Sequence, residues 1–199
     1  MHIRALKSCM STVRPRLQPL EPPYSDAVAQ TLQRSMPQGS DVPPLNLFRL
    51  LARDEALWAA MAGFGRFNLK YDPARYSSIE PRDREIVIQR VCVRCGCEYE
   101  WGVHVALFAQ SVAITDAQVT SLRSSDAPFE ALTNKDRLLV SLVDALHDTN
   151  NINDELWEQL AANWHENQLL QLLMLVGWYH AISYVANVSR IPSETWAAR

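Results

Sequence analysis

Seven of the eleven prolines in this 199-residue chain stand before Leu45. Pro15, Pro19, Pro22, Pro23, Pro37, Pro43 and Pro44 each remove a backbone donor and fix φ, so residues 1–42 suit neither a long helix nor an interior strand. This stretch reads as a Pro-rich N-terminal arm with one short helix near Asp26 to Arg34, of a kind suited to wrapping a neighbour. Beyond it the pattern changes. Leu47, Leu50, Leu51, Leu57, Trp58 and Met61 recur at three and four residues, the spacing of an amphipathic helix, and strand-like alternation is nearly absent. Residues 43–199 are therefore expected to form an all-α domain, a compact helical bundle with short connections.

Local signals place the helices. Pro81 suits a first helical turn, with Glu80 and Asp83 near its positive end, and the helix is predicted to run through Glu85, Ile88, Val91, Cys92 and Cys95. Gly96 and Gly102 bracket the next start, and Tyr99 to Gln110 reads as a second helix. Thr115 with Gln118 forms a capping box for a short helix ending near Leu122, and Pro128 falls in the connection that follows. Thr133 with Asp136 begins a helix with the stripe Leu138, Leu139, Leu142, Val143 and Leu146 and with His147 at its end. Asp154 to Ala162 and Glu166 to Val188 complete the series. Asn167 to Ser189 lacks charged residues and is long enough to cross a bilayer, but Gln168, Gln171, His180, Ser183 and Asn187 interrupt it. A helix in the core or at a subunit interface is the expected outcome.

At 48 % hydrophobic and 21 % charged residues, the composition supports a sizeable core. A net charge of −3 offers no broad cationic footprint, so no nucleic-acid partner is expected. The first 24 residues hold no apolar run of signal-peptide length, which gives a cytoplasmic expectation. Three of the four cysteines crowd between Cys92 and Cys97, unlike a spaced disulfide framework, so reduced thiols are expected.

The stretch CGCEYEWGVH, residues 95–104, concentrates ionisable groups. Glu100 and His104 lie one helical turn apart, and Glu85 shares a face with Ile88, Cys92 and Gly96 on the preceding helix. Trp101, Val105, Phe108 and Ala109 form a second line, so this helix is expected to be enclosed. In such a setting burial disfavours charge and the Glu–His pairing restores it, which tunes a general acid or base. The competing reading is a structural cluster that fixes helix packing, with Arg84, Arg90 or Arg94 as its counter-cation. Glu100 and His104 also have metal-ligand spacing, and Cys92, Cys95 and Cys97 are thiols nearby. His147, His165 and His180 read as single residues, however, so no metal is expected. Tyr99 and Trp101 are candidates for lining a substrate pocket; Tyr179, His180 and Tyr184 stay outside the main candidate site.

The order Glu85, Cys97 twelve positions on, Tyr99-Glu100-Trp101, His104 and then a capped helix at Thr115 resembles the carboxymuconolactone decarboxylase and alkylhydroperoxidase-D-like superfamily. The resemblance is specific from about Pro81 to Leu122, extends loosely to the closing GWYHAISYVANVSRIP, and does not cover the arm before Pro43. It implies an all-helical fold assembled as trimers or hexamers. The peroxidase branch carries Cys-x-x-Cys, and here the second cysteine position is Glu100. That replacement points to the decarboxylase-like branch, in which His104, with Glu85 and Glu100 orienting it and Cys97 as a marginal fourth member, moves a proton on a small carboxylated or lactone substrate without a cofactor. The alternatives are a hydroperoxidase-like antioxidant using Cys97, and a non-catalytic oligomeric binding protein.

Overall fold

The computed structural model describes residues 14–36, 42–124 and 129–199. The first residues of the arm, Pro37 and Pro128 lie outside the described residues. Within them the regular structure is helical: α1 (Asp26–Ser35), α2 (Asn46–Leu51), α3 (Glu55–Leu69), α4 (Pro81–Arg94), α5 (Glu98–His104), α6 (Asp116–Arg123), α7 (Asn134–Thr149), α8 (Asp154–Ala161) and α9 (Glu166–Ser189). A single β-bridge joins Tyr71 and Ser77.

The centre of the molecule is α4, which packs against α5, α6, α7 and α9. Every residue from Asp83 to Cys92 is buried. Ile86, Val87, Ile88 and Val91 join one core with Leu139, Leu142 and Val143 of α7 and Leu172, Leu175 and Val176 of α9. A helix enclosed on all sides must find partners for its charged side chains. Asp83 accepts from Lys135 Nζ at 2.7 Å and from Trp164 Nε1 at 2.9 Å. Arg90 makes a two-pronged pair with Asp144, both contacts at 2.7 Å, and donates to the Leu122 and Ser124 carbonyls.

The ends of the predicted helices follow their capping chemistry. Thr115–Gln118 and Thr133–Asp136 form the expected reciprocal caps, and His165–Gln168 forms a third at the start of α9. One row of α9, including Leu169, Leu172, Val176, Tyr179 and Ala186, is buried in the core, while Leu170, Leu173 and Met174 are exposed. The described part of the arm lies on its own chain. Leu20 and Tyr24 pack with Val28, Leu32, Phe48 and Ala52 in a small second cluster, and the Arg16 N–H donates to the Ser189 carbonyl at 2.8 Å.

Two glycines position α5. Gly96 holds φ at 59°, the left-handed region. Its N–H donates to Val93 O at 3.0 Å and that of Cys97 to Cys92 O at 2.8 Å, the paired bonds of a Schellman cap. The chain reverses there, and α5 begins beside α4. Gly102 lies under the C-terminal segment: Ala198 N–H donates to Gly102 O at 3.0 Å, and a Cβ on Gly102 would stand 2.4 Å from Ala198 O. Gly102→Ala is therefore expected to lower stability by about 1–3 kcal/mol and to release the C-terminal residues to carboxypeptidase; an unchanged melting temperature and digestion rate would contradict this.

The sequence predicts one helix from Tyr99 to Gln110, but α5 stops at His104 and continues as a π-helical turn, Val105–Ala109, and a 3-10 turn, Gln110–Val112. Pairing i→i+5 rotates the following residues relative to an α-helix. As a result Leu107 and Ser111, which an unbroken α-helix would set in line with His104, face solvent. Phe108 packs on the imidazole instead, with ring centroids 5.1 Å apart.

Candidate active site

The Gly96 reversal brings α5 against α4, so the imidazole of His104 meets the carboxylate of Glu85. His104 Nδ1 lies 2.8 Å from Glu85 Oε2, and both residues are buried. On the other side of the ring, Nε2 lies 3.2 Å from the Tyr179 hydroxyl of α9 and 3.4 Å from Glu100 Oε1. The counter-cation is Arg84, whose Nε donates to Glu85 Oε1 at 3.2 Å and whose Nη1 donates to the Leu69 carbonyl at 2.8 Å. Arg90 and Arg94 turn elsewhere, to Asp144 and Asp148.

These contacts fix the proton. Burial alone disfavours an imidazolium, but the Glu85 carboxylate, backed by Glu100, outweighs it and pushes His104 up to about 9. At neutral pH the ring is positively charged and Nδ1–H donates to Glu85. His104 and Arg84 are the two cationic side chains set against the Glu85 and Glu100 carboxyl groups. The linkage has a definite sign: a group whose folded pKa is raised stabilises the fold fully below its unfolded value. This contribution, on the order of 3 kcal/mol, is present below pH 6.5 and is lost as pH rises through about 9. Chemical denaturation between pH 6 and 10 is expected to show that decline; a flat profile would mean His104 is neutral in the fold.

Cys97 sits at the N-terminal cap of α5, buried beside Glu100. Burial and the Glu100 charge push its thiol up to about 11. Burial pushes Cys92 far upward and Cys95 upward as well. All three described cysteines are free and protonated at neutral pH.

Tyr99 and Trp101 are both buried, but their side chains are held by the surrounding fold. The Tyr99 hydroxyl donates to Glu194 Oε1 at 2.7 Å and accepts from Leu47 N–H at 3.0 Å, tying the C-terminal segment to α2. Arg123 covers the Trp101 ring at 4.1 Å.

Sequence reasoning left out two buried polar residues, Tyr179 beside His104 and Gln89 on the face of α4 that carries Glu85. Tyr179 is the residue of α9 that reaches His104, whereas Tyr184 is exposed. Gln89 stands one turn beyond Glu85 on the same face of α4, fully buried, and neither atom of its amide has a partner among the described residues. Glu100 Oε2 is also buried and unpartnered. The signal for Gln89 was its four-residue spacing from Glu85; Tyr179 carried none apart from its place on a helix with a buried row. His147 and His180, read as single residues, are in fact in contact: His147 Nδ1 lies 3.0 Å from His180 Nε2.

No family model and no curated protein sequence matches the chain. Among solved structures it superposes on an uncharacterized peroxidase-related protein from Silicibacter sp. TM1040, with a TM-score of 0.73 and 15 % identity, covering 92 % of this chain and 96 % of that one. The all-helical fold is shared. At this level of identity the likeness concerns architecture, over nearly the whole of both chains.

Proposed function

We propose that the chain is a cofactor-independent acid/base enzyme of the carboxymuconolactone decarboxylase and alkylhydroperoxidase-D-like superfamily, acting in the decarboxylase manner on a small carboxylated or lactone metabolite. The observation that carries this reading is the buried imidazole of His104, held at Nδ1 by Glu85 with its Nε2 edge beside Glu100 and Tyr179. A histidine protonated at neutral pH is a proton donor. As the bond to the departing carboxylate breaks, its electron pair remains on the substrate carbon as an enolate. His104 Nε2–H then protonates that carbon, carbon dioxide leaves, and the neutral ring regains a proton from solvent. Glu85 positions and charges the ring, and Glu100 supports the same charge. Gln89, with its unpartnered amide, is the candidate donor to the enolate oxygen. The π-helical turn after His104 supports the reading, since such turns recur at functional sites, and it sets Phe108 as the cover of the ring.

The test is carbon dioxide release from a panel of small 3-oxo acids and carboxylated lactones. Turnover is expected to be steady near neutrality and to fall above pH 9 as the imidazolium is lost; turnover that rises through pH 9 would assign His104 as a base instead.

The likeness to a peroxidase-related protein favours a second reading, in which Cys97 attacks a hydroperoxide. The raised Cys97 thiol and Glu100 in place of the second, peroxide-attacking cysteine of the peroxidase branch weigh against it. Peroxide consumption that disappears in Cys97→Ser would support it; consumption that survives would remove it. Both readings include a homo-oligomer, trimeric or hexameric, and the exposed Leu170, Leu173 and Met174 along one face of α9 supply apolar surface for contact between copies. Native mass measurement decides the subunit number.

A further inference from the structure

Three helices bring ligand-type side chains together away from His104. Cys95 closes α4, His147 lies in the last turn of α7, and His180 lies in the second half of α9. Their ligand atoms all fall within 4.8 Å of one another, and each residue is partly buried, so the cluster is open to an ion in solution. The orientation of His180 is fixed from behind. Its Nδ1–H donates to the Val176 carbonyl at 2.9 Å, which leaves Nε2 as the bare lone pair, and that lone pair faces His147 Nδ1 at 3.0 Å. A backbone carbonyl holding the far nitrogen of an imidazole is the usual support of a metal-ligating histidine. The backbone of Cys95 is anchored too: Asn187 Nδ2–H donates to its carbonyl at 2.8 Å, and its own N–H donates to Val91 O at 2.9 Å.

We propose that Cys95, His147 and His180 form a binding site for a borderline-soft divalent cation of the Zn²⁺ type, with one thiolate, two imidazole nitrogens and a solvent molecule as ligands. Without the ion, His147 Nδ1–H donates to His180 Nε2. The ion takes the place of that Nδ1 proton, which moves to His147 Nε2 as the ring changes tautomer, and of the thiol proton, so binding one ion releases one proton to solvent. Zn–N bonds near 2.0–2.1 Å and a Zn–S bond near 2.3 Å put tetrahedral ligands about 3.3–3.6 Å apart. The present separations therefore need adjustments of about an ångström, within the reach of side-chain rotation. Nitrogen and thiolate donors select against Mg²⁺ and Ca²⁺. The nearby Arg94 does not oppose a cation, because Asp148 and Asp144 both pair with it. The site is independent of the acid/base reading, since it shares no residue with the His104 cluster.

The test uses the full-length, tag-free chain, stripped with chelator and titrated with Co²⁺ and then Zn²⁺. The expected result is one Co²⁺ per chain with a near-ultraviolet thiolate charge-transfer band and the visible bands of a four-coordinate ion, all displaced by Zn²⁺. Cys95→Ser, nearly equal in volume, is expected to keep its helical circular dichroism and lose the charge-transfer band. His180→Ala is expected to weaken Zn²⁺ by more than the roughly 10–100-fold of an outer-shell change, while Cys97→Ser retains the band. Absence of Co²⁺ and Zn²⁺ binding by the parent chain would overturn the proposal, whatever the variants do. So would a charge-transfer band that persists in Cys95→Ser or vanishes in Cys97→Ser.

Discussion

Replacing His104 with glutamine is expected to abolish the proposed proton transfer, lowering turnover by about 10²–10⁴-fold, and to destabilise the fold by about 3–5 kcal/mol. Two effects are present because the imidazolium has two roles. It is the proposed proton donor, and it is one of two cations that balance Glu85 and Glu100 in a dry interior. A second substitution separates them. In His104→Gln/Glu100→Gln the remaining charges are Arg84 and Glu85, which already touch at 3.2 Å, so most of the lost stability is expected to return while turnover stays lost. Denaturation midpoints and carbon dioxide release, measured on both variants, check this. If the double variant regained both stability and turnover, the proton-donor role would fall; if neither variant lost turnover, the cluster would be structural and the chain better read as a binding protein.

Glu85→Gln is the second large effect. The Glu85 carboxylate is the main cause holding His104 near 9, so its removal is expected to drop the imidazole pKa sharply. At pH 7.5 the ring would then carry less charge and turnover would fall. Acidification would recover part of that loss, because lower pH restores the imidazolium. In the parent chain the falling limb of the pH profile sits near 9, and in the variant it moves to lower pH. Nuclear magnetic resonance of the His104 ring carbons reads the pKa without a substrate. An imidazole that still titrates near 9 in Glu85→Gln would show that Glu85 is not what charges it.

Much of this arrangement was legible in the sequence because it depends on local rules. The helices at Pro81, Thr115, Thr133 and Glu166 begin at residues whose capping chemistry is encoded within four positions. Glu100 and His104 are one turn apart on any helix, and a glutamate on an apolar stripe already implied a buried partner. What stayed hidden depends on tertiary placement. Arg84, Arg90 and Arg94 were equivalent candidates until the packing of α7 drew Arg90 and Arg94 to Asp144 and Asp148. Tyr179 and His180 are adjacent in sequence, and only the seating of α9 sends one to His104 and the other to His147. The π-helical turn was invisible for a related reason: Val105 to Ala109 satisfy the helical pattern equally well with either hydrogen-bond spacing.

That turn bears on how the chain tolerates length changes. Deleting Ala106 or Leu107 would let ordinary helix resume directly after His104 and bring Phe108 from four to three residues beyond it, which reseats the aromatic ring on the imidazole. The same deletion in a surface loop would be nearly silent, so the spacing between His104 and Phe108 sets how closely the buried imidazole is covered.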